Sequence, residues 1–375
     1  MKNIPLFDLN FGKEEEEAVI EVLRSKWISM GPKTKEFEDE YARLHHSKYA
    51  VAVTNCTAAL HLALRVCGVG VGDEVIVPSL TFVATASAVR MIGATPVFAD
   101  VVSLDDWTIS PEDIKQKITK KTKAVIPMHF GGHGADMLKI CALAEKYGLK
   151  VIEDACHAPL GVRDGQHLGT LGDFACYSFY SNKNMATGEG GMLLTQNEEY
   201  EKQSRLLRAH GMTATAYDRE QGKEFYDIVD WGYNYRMDDI RAAIGVAQVA
   251  KLEADVKKRK MLADRYRENL VDQADVSIPF SQYPGESSNY VMGVLLEKGD
   301  RKEIRKLLAE KGVGTSMHYP PVHQFECYKE FSTELPFTED IGCRELSLPL
   351  YFSMTIEDVD YVCDQLKLVL TKQKV

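Results

Sequence analysis

The residues best suited to chemistry lie in one stretch, Val151 to Leu193, VIEDACHAPLGVRDGQHLGTLGDFACYSFYSNKNMATGEGGML. An apolar run from Leu149 to Ile152 ends on two acids, Glu153 and Asp154. A second apolar run ends at Ser178, and the turn SNKN then carries Lys183 ahead of a glycine cluster. In open α/β sheets, side chains at the carboxyl ends of parallel strands point into the crevice where ligands bind. Asp154 and Ser178 both close such strands, and the Ser and Asn residues beside Lys183 suit irregular backbone. A carboxylate and an amine are therefore expected to frame one pocket. An amine so placed attacks a carbonyl in its neutral form, and afterwards it can carry a proton.

Two further features face the same side of the sheet. The strand Ala50 to Val53 runs straight into a helix that opens with Asn55, Cys56, Thr57 and Ala58. A helix start with free N–H groups and a hydroxyl is a ready phosphate site. An ordinary N-cap explains the same residues in isolation, and it is the downstream acid and lysine that favour the phosphate. Thr81 and Phe82 open the following helix, where Phe82 either packs beside Val83 or lies flat on an aromatic cofactor.

A phosphate cradle, a flat aromatic, an acid at a strand end and a lysine after the next strand meet the needs of pyridoxal 5′-phosphate. The lysine forms the Schiff base and must be neutral to do so, which calls for a site that disfavours its charge. Asp154 keeps the pyridine nitrogen protonated through a charge-assisted hydrogen bond, so that the ring can take up electrons. Released from the ring, Lys183 can shuttle the proton that transamination requires, a role worth roughly a hundred- to ten-thousand-fold in rate. His129 and His133 stand four apart, but Gly131 and Gly132 between them disfavour the helix that a two-histidine zinc site uses, and no metal is expected.

The elements that must hold these residues follow from periodicity. Apolar spacing predicts helices over Glu14 to Ser25 and Thr34 to His45, separated by Trp27-Ile28-Ser29-Met30-Gly31-Pro32. Trp27 reads as a packing residue or as part of a cleft wall. Short β-rich runs then alternate with helices: Ala50 to Val53, Glu74 to Val77, Thr95 to Phe98, Ala124 to Pro127 and Leu149 to Ile152. That alternation indicates βαβ units and a mainly parallel sheet. Met192 to Thr195 reads as a further strand, followed by helices over Glu198 to Ala209, Met237 to Ala250 and Leu252 to Asn269. The polar, aromatic loop Thr213 to Tyr235 is long enough to suggest function or a partner. From about Val276 short strands and helices near Arg301 to Lys311 and Ile356 to Leu370 suggest an α+β unit. The division expected is a large α/β domain over 1–250, including the N-terminal helices, and a smaller α+β domain over 251–375.

Composition narrows the classes. The chain has 375 residues, 45% of them apolar and 27% charged, which is ample for a large core without staples. Its 45 Lys and Arg against 55 Asp and Glu leave a formal charge of −10, which argues against a phosphate-backbone surface. No long apolar run supports a membrane span or a signal peptide. The eight cysteines are scattered without a CxxC pair and fit a reducing cytosol. A nicotinamide enzyme would need GxGxxG after its first strand, where this chain has NCTAAL.

Several segments resemble one family. EDACHAPLG, GDFACYSFYSNKNMATGEGGML and WGYNYRMDDIRAAIG are similar to signature segments of the DegT/DnrJ/EryC1/StrS sugar aminotransferases, and WISMGP, NCTAALHLAL, VPSLTFVAT, GATPVFAD, HYPPVH and LPLY extend the likeness nearly end to end. The resemblance implies a fold-type I pyridoxal phosphate enzyme, aspartate aminotransferase-like, with a seven-stranded type of sheet, helices on both faces and a smaller α+β C-terminal domain. It implies Lys183 as the Schiff-base lysine, Asp154 at the ring nitrogen, His157 at the ring hydroxyl, Phe82 on the ring, and Ser178, Thr57 and Ala58 at the phosphate. Asn234 would be lent to the neighbouring subunit's phosphate, making a homodimer with shared sites. Relatives with His in place of the lysine catalyse dehydration, whereas this chain keeps Lys183.

The resemblance further implies transfer from L-glutamate to a keto sugar, above all a nucleotide-linked 4-keto-6-deoxy sugar, for surface polysaccharide or antibiotic sugars. A 3-keto sugar, a keto-inositol or an oxidised eight-carbon sugar acid is the alternative acceptor. Trp27, Gly31, His318 and Tyr319 are candidates for substrate contact, with domain packing as the other reading of the last two. A non-catalytic pyridoxal phosphate-binding regulator is disfavoured by the intact Lys183 and by the lack of a basic face or helix-turn-helix extension.

Overall fold

Three consecutive acids, Glu14 to Glu16, open α1 (Lys13–Ser25), where they complement the helix dipole. The chain restarts at a proline in the first turn of α2 (Pro32–Leu44), a position where the missing N–H costs nothing. The structure, a computed structural model, describes residues 2–372. Strand and helix then alternate through β1 (Tyr49–Val53), α3 (Cys56–Val66), β2 (Glu74–Pro78), α4 (Ala84–Met91), β3 (Thr95–Ala99), α5 (Pro111–Lys117), β4 (Thr122–Val125), α6 (Met137–Tyr147) and β5 (Lys150–Asp154). A short hairpin of β6 (Val162–Arg163) and β7 (Gln166–His167) precedes β8 (Phe174–Ser178) and β9 (Gly191–Thr195). After α7 (Glu198–Arg208) and α8 (Ala216–Glu220) comes α9 (Asp239–Leu270). The rest is β10 (Val276–Ser277), β11 (Gly285–Glu286), β12 (Met292–Leu296), α10 (Arg301–Ala309), α11 (Pro336–Arg344), β13 (Glu345–Leu348) and α12 (Ile356–Lys372).

Seven strands form the central sheet in the order β1-β9-β8-β5-β4-β2-β3. The pairs β2–β3, β2–β4, β4–β5 and β5–β8 are parallel, while β9 runs antiparallel to both β1 and β8. Alternation along the strands sends successive residues to opposite faces. Val77 and Ile152 join Leu60 and Leu64 of α3 on one face, while Ile76 and Val151 join Ile140 and Ala144 of α6 on the other. The expected α/β sheet with helices on both faces is thus present. Its strand ends present Asp154 and Ser178 at the same edge.

The C-terminal part has a core of its own, where Val294 of β12 and Leu346 of β13 meet Tyr266 and Leu270 of α9, Ile304 of α10 and Leu366 of α12. One expectation fails here. The helices read over Met237 to Ala250 and Leu252 to Asn269 are one helix of 32 residues, because nothing between Ala250 and Leu252 breaks it. Lys251, a good helix former, instead uses its ammonium to bridge Glu14 and Glu15 of α1. The division between 250 and 251 therefore falls inside α9, and the last three residues of the span 251–375 lie outside the described residues. The loop Thr213 to Tyr235 contains α8 and leaves Phe225 and Trp231 86% and 89% exposed. All eight cysteines are unpaired, and among the described residues no helix is long and apolar enough to cross a membrane.

Candidate active site

The two acids that end β5 are divided by the pleat. Glu153 turns away from the crevice and accepts from His129 Nε2 at 2.9 Å and from the N–H groups of Gly169, Leu171 and Gly172 at 2.7–2.9 Å. Burial opposes its charge, but the histidine and these N–H groups outweigh it and hold the carboxyl below its ordinary value. Glu153 is thus a structural tie that also engages His129. Asp154 turns into the crevice, where Thr85 Oγ1 donates to Oδ2 at 2.7 Å and the Cys156 N–H points to Oδ1 at 3.4 Å. Thr85 is itself held by Thr81, one helical turn earlier, at 2.8 Å.

Asp154 and Lys183 line one cavity of about 440 Å³, together with Asn55, Cys56, Thr57, Phe82, Ser178, Tyr290, His318 and Tyr319. The Lys183 ammonium lies 4.2 Å from the centre of the Tyr290 ring. Burial lowers the lysine's proton affinity, but Tyr290, Cys156 and Asp154 more than offset it and the pKa is raised. The sequence predicts a site that disfavours the charge. Burial does act in that direction, yet the polar groups that surround the amine reverse the net effect.

His157 is fully buried, and burial, then Lys183 and His318, push its pKa well below the usual histidine value. The neutral ring accepts the Gly131 N–H at Nδ1, 3.4 Å, so the proton sits on Nε2 and is donated to Tyr319 Oη at 2.9 Å. The two rings are nearly parallel, and Tyr290 stacks on His157 at 4.1 Å between centroids. Burial and Tyr290 keep the Tyr319 phenol well above its ordinary pKa, so it stays protonated.

The first strand-to-helix turn lines the cavity with the opening residues of α3, Ala58 excepted. Asn55 caps α3, and its side chain accepts the Ala58 N–H at 2.8 Å. The wall of the cavity is therefore made by Cys56 and Thr57, whose N–H groups precede any intrahelical acceptor, while Ala58 sits buried behind them with its donor already used. Gly191 makes this geometry possible: a Cβ there would come within 2.5–2.7 Å of the Asn55 and Cys56 backbone. Ser178 Oγ lies across the same opening and accepts the Tyr180 N–H at 3.3 Å. Phe82 is 53% exposed at the mouth, its ring 5.9 Å from that of Tyr319.

Three sequence-predicted residues stand apart from this cavity. Asn234 is exposed on the strand-like segment that bridges Ala209. Gly31 lines a separate cavity of about 530 Å³ with Thr34, Arg205, Thr213 and Tyr217. Trp27 adjoins that second cavity, edge-on to Tyr217 at 5.5 Å, with its Nε1 buried and unpartnered. His133 stacks on Phe280 at 3.9 Å. Sequence reasoning missed Thr85 and Tyr290. Thr85 was legible as the hydroxyl one turn after Thr81. Tyr290 had no local signal, because it reaches the lysine only through the folding of the C-terminal part.

Comparison with known proteins identifies the family. The model of the DegT/DnrJ/EryC1/StrS aminotransferase family matches residues 10–367. The chain is 42% identical to the spore coat polysaccharide biosynthesis protein SpsC of Bacillus subtilis, over 95% of this chain and 94% of that one. It is 37% identical to the GDP-perosamine synthase of Escherichia coli O157:H7, over 98% of each. The structure of the putative sugar aminotransferase Spr1654 from Streptococcus pneumoniae in its PLP form superposes with a TM-score of 0.92 at 30% identity, over 99% of both chains. Matched by the family model and by these relatives over almost its whole length, the chain belongs to the DegT/DnrJ/EryC1/StrS family of sugar aminotransferases.

Proposed function

We propose that the protein uses pyridoxal 5′-phosphate to move an amino group from L-glutamate to a nucleotide-linked keto sugar, above all a 4-keto-6-deoxy sugar, in the synthesis of a surface polysaccharide. The observation that carries this reading is the convergence of Lys183 and Asp154 on one cavity of about 440 Å³ with an anion seat and an aromatic wall. The names of the relatives support the rest, since one concerns polysaccharide biosynthesis and another a GDP-linked sugar.

The residues present fit the cofactor. When bound, pyridoxal 5′-phosphate supplies a carbonyl that couples to amines and a ring that accepts electrons. Asp154, held by Thr85, would hold the ring nitrogen. Ser178 and the Cys56 and Thr57 N–H groups would hold the phosphate, and Phe82 would cover the ring. Lys183 would anchor the group and carry the proton at Nζ. While Asp154 has no other cationic partner its carboxylate helps keep that ammonium charged, and engaging Asp154 elsewhere favours the neutral amine. Asn234, which stands outside its own chain's cavity, fits a role in the partner's site of a homodimer. The unpaired cysteines fit a cytoplasmic setting.

Borohydride reduction of the protein mixed with pyridoxal phosphate, followed by peptide mapping, should place the adduct on Lys183; an adduct on another lysine overturns the assignment. Nucleotide-linked keto sugars are then offered with L-glutamate, and release of 2-oxoglutarate is followed. Reaction with a 3-keto sugar and none with 4-keto-6-deoxy sugars would overturn the acceptor.

A further inference from the structure

Behind the cavity lies a buried polar chain that the reaction just described does not use. His318 lines the cavity beside Lys183. Its Nδ1 lies 2.7 Å from Ser347 Oγ, and Ser347 Oγ in turn makes a short hydrogen bond to Glu345 Oε1. The other carboxyl oxygen, Oε2, accepts the His318 backbone N–H at 2.8 Å, so the acid grips the histidine at two points. Glu345 and Ser347 are 1% and 0% exposed, two residues apart on β13 and hence on one face of it.

The charges facing this chain are few. From α10, Arg301 donates to the carbonyls of Gly342 and Glu345 and Arg305 to that of Thr315, so both guanidiniums are turned to backbone. Arg344, next to Glu345 in sequence, is engaged by Asp340 and Glu297. From β12, Gly293 presents no side chain, and Trp107 lies beyond it. On the cavity side, His318 meets Lys183, Tyr290 and Tyr319, with the neutral His157 beyond them.

We propose that Glu345, acting through Ser347, is a positioning residue that decides which ring nitrogen of His318 carries the proton, and so whether the cavity is offered a hydrogen-bond donor or an acceptor at Nε2. The reasoning is a count of hydrogens. A neutral imidazole carries one N–H. With the acid protonated, Glu345 donates to Ser347, Ser347 donates to His318 Nδ1, and Nε2 bears the hydrogen that can bind a carbonyl or carboxylate oxygen. With the acid ionised, Ser347 must donate to Glu345 instead. His318 then donates from Nδ1 to Ser347, and Nε2 is bare.

Both conditions of the count are met near neutral pH. Burial, reinforced by Lys183, pushes the His318 pKa down to about 3, so the ring is neutral. Burial pushes the Glu345 carboxyl up to about 8, against Ser347, the His318 N–H, Arg301 and Arg305, which pull the other way. The donor form of Nε2 therefore holds at neutral pH and gives way as Glu345 ionises.

The bearing on substrate rests on the amino-transfer reading, whereas the following test needs no substrate, so the two fail separately. Histidine-ring nitrogen shifts are recorded by NMR on the full chain labelled with 15N-histidine, from about pH 6 to about pH 10, with His318→Gln to assign the signal. The expected result is that the bare nitrogen of His318 changes from Nδ1 to Nε2 as pH rises. Glu345→Gln, whose carbonyl still accepts the His318 N–H and whose amide donates to Ser347, should hold the Nε2–H form throughout. Ser347→Ala should remove the pH dependence and serves if the glutamine variant fails to fold. An unchanging tautomer in the unaltered protein, or a change that survives either substitution, overturns the proposal.

Discussion

The Lys183 ammonium rests 4.2 Å from the centre of the Tyr290 ring, so the amine is gripped by the C-terminal part as well as by the sheet that carries it. Tyr290 contributes a ring face and a hydroxyl, and the two can be separated. Tyr290→Phe keeps the cation–π contact and removes the hydroxyl, which should lower the proton affinity of Lys183. Labelling of Lys183 by an amine-selective reagent near neutral pH should become several-fold faster. An unchanged or slower rate would mean that the phenol does not hold the charge.

Asp154 depends on Thr85 for one of its carboxylate contacts. Asp154→Asn should leave the melting temperature near that of the parent and abolish most amino transfer. Thr85→Val, which loses one hydrogen bond worth about 1 kcal/mol, should cost roughly tenfold or less. A Thr85→Val loss as deep as that of Asp154→Asn would indicate collapse of the site instead of a weakened support.

Asn234 lies on the exterior of its own chain, away from the cavity that Lys183 faces. If it completes a partner's site, Lys183→Ala and Asn234→Ala proteins should each be inactive alone and recover activity when mixed. Random pairing leaves one intact site in each hybrid. No recovery from a mixture shown to exchange subunits would place the action of Asn234 elsewhere.

Acid stability follows from the buried imidazoles. Burial lowers His45 to about 4 and His133 and His318 to about 3, and carries His157 well down. Between those values and the ordinary histidine range the unfolded chain binds more protons than the folded one, so stability falls as pH falls. Glu345 has the opposite sign: its raised pKa means that the folded chain holds the extra proton, and stability is lost as pH rises from the ordinary carboxyl value through about 8. With His61 and His323 also held low by burial, six histidines against two raised acids, Glu345 and Asp255, predict a melting temperature that declines from pH 6.5 downward, measured by circular dichroism. A melting temperature that is flat or rises from pH 6 to 4 would contradict this.

Much of the site was legible in the sequence because it is local to strand ends. Asp154, Ser178, Thr57 and Phe82 each follow a short apolar run, and alternation alone decides which of Glu153 and Asp154 faces the crevice. What was not legible depends on contacts between distant segments. The charge preference of Lys183 could not be read from its burial alone, since Tyr290 arrives from elsewhere in the fold. Ala58 looked available as a donor until the Asn55 side chain was seen to take its N–H. The single helix α9 was divided at a point where no glycine or proline calls for a break, and the contacts of Lys251 with α1 show why it continues.

That helix has a thermodynamic consequence. Its first half is packed against α1 and α2 and its second half against the C-terminal core, so neither core can melt without fraying an element the other needs. A helix of 32 residues, about 48 Å long, then acts as a shared spine. Calorimetry should record one heat-absorption peak for the chain instead of two. The lysine on one side of the cavity and the tyrosine and histidine on the other are thereby held in one cooperative unit, and the width of the catalytic cleft is protected by the same free energy that keeps the whole chain folded.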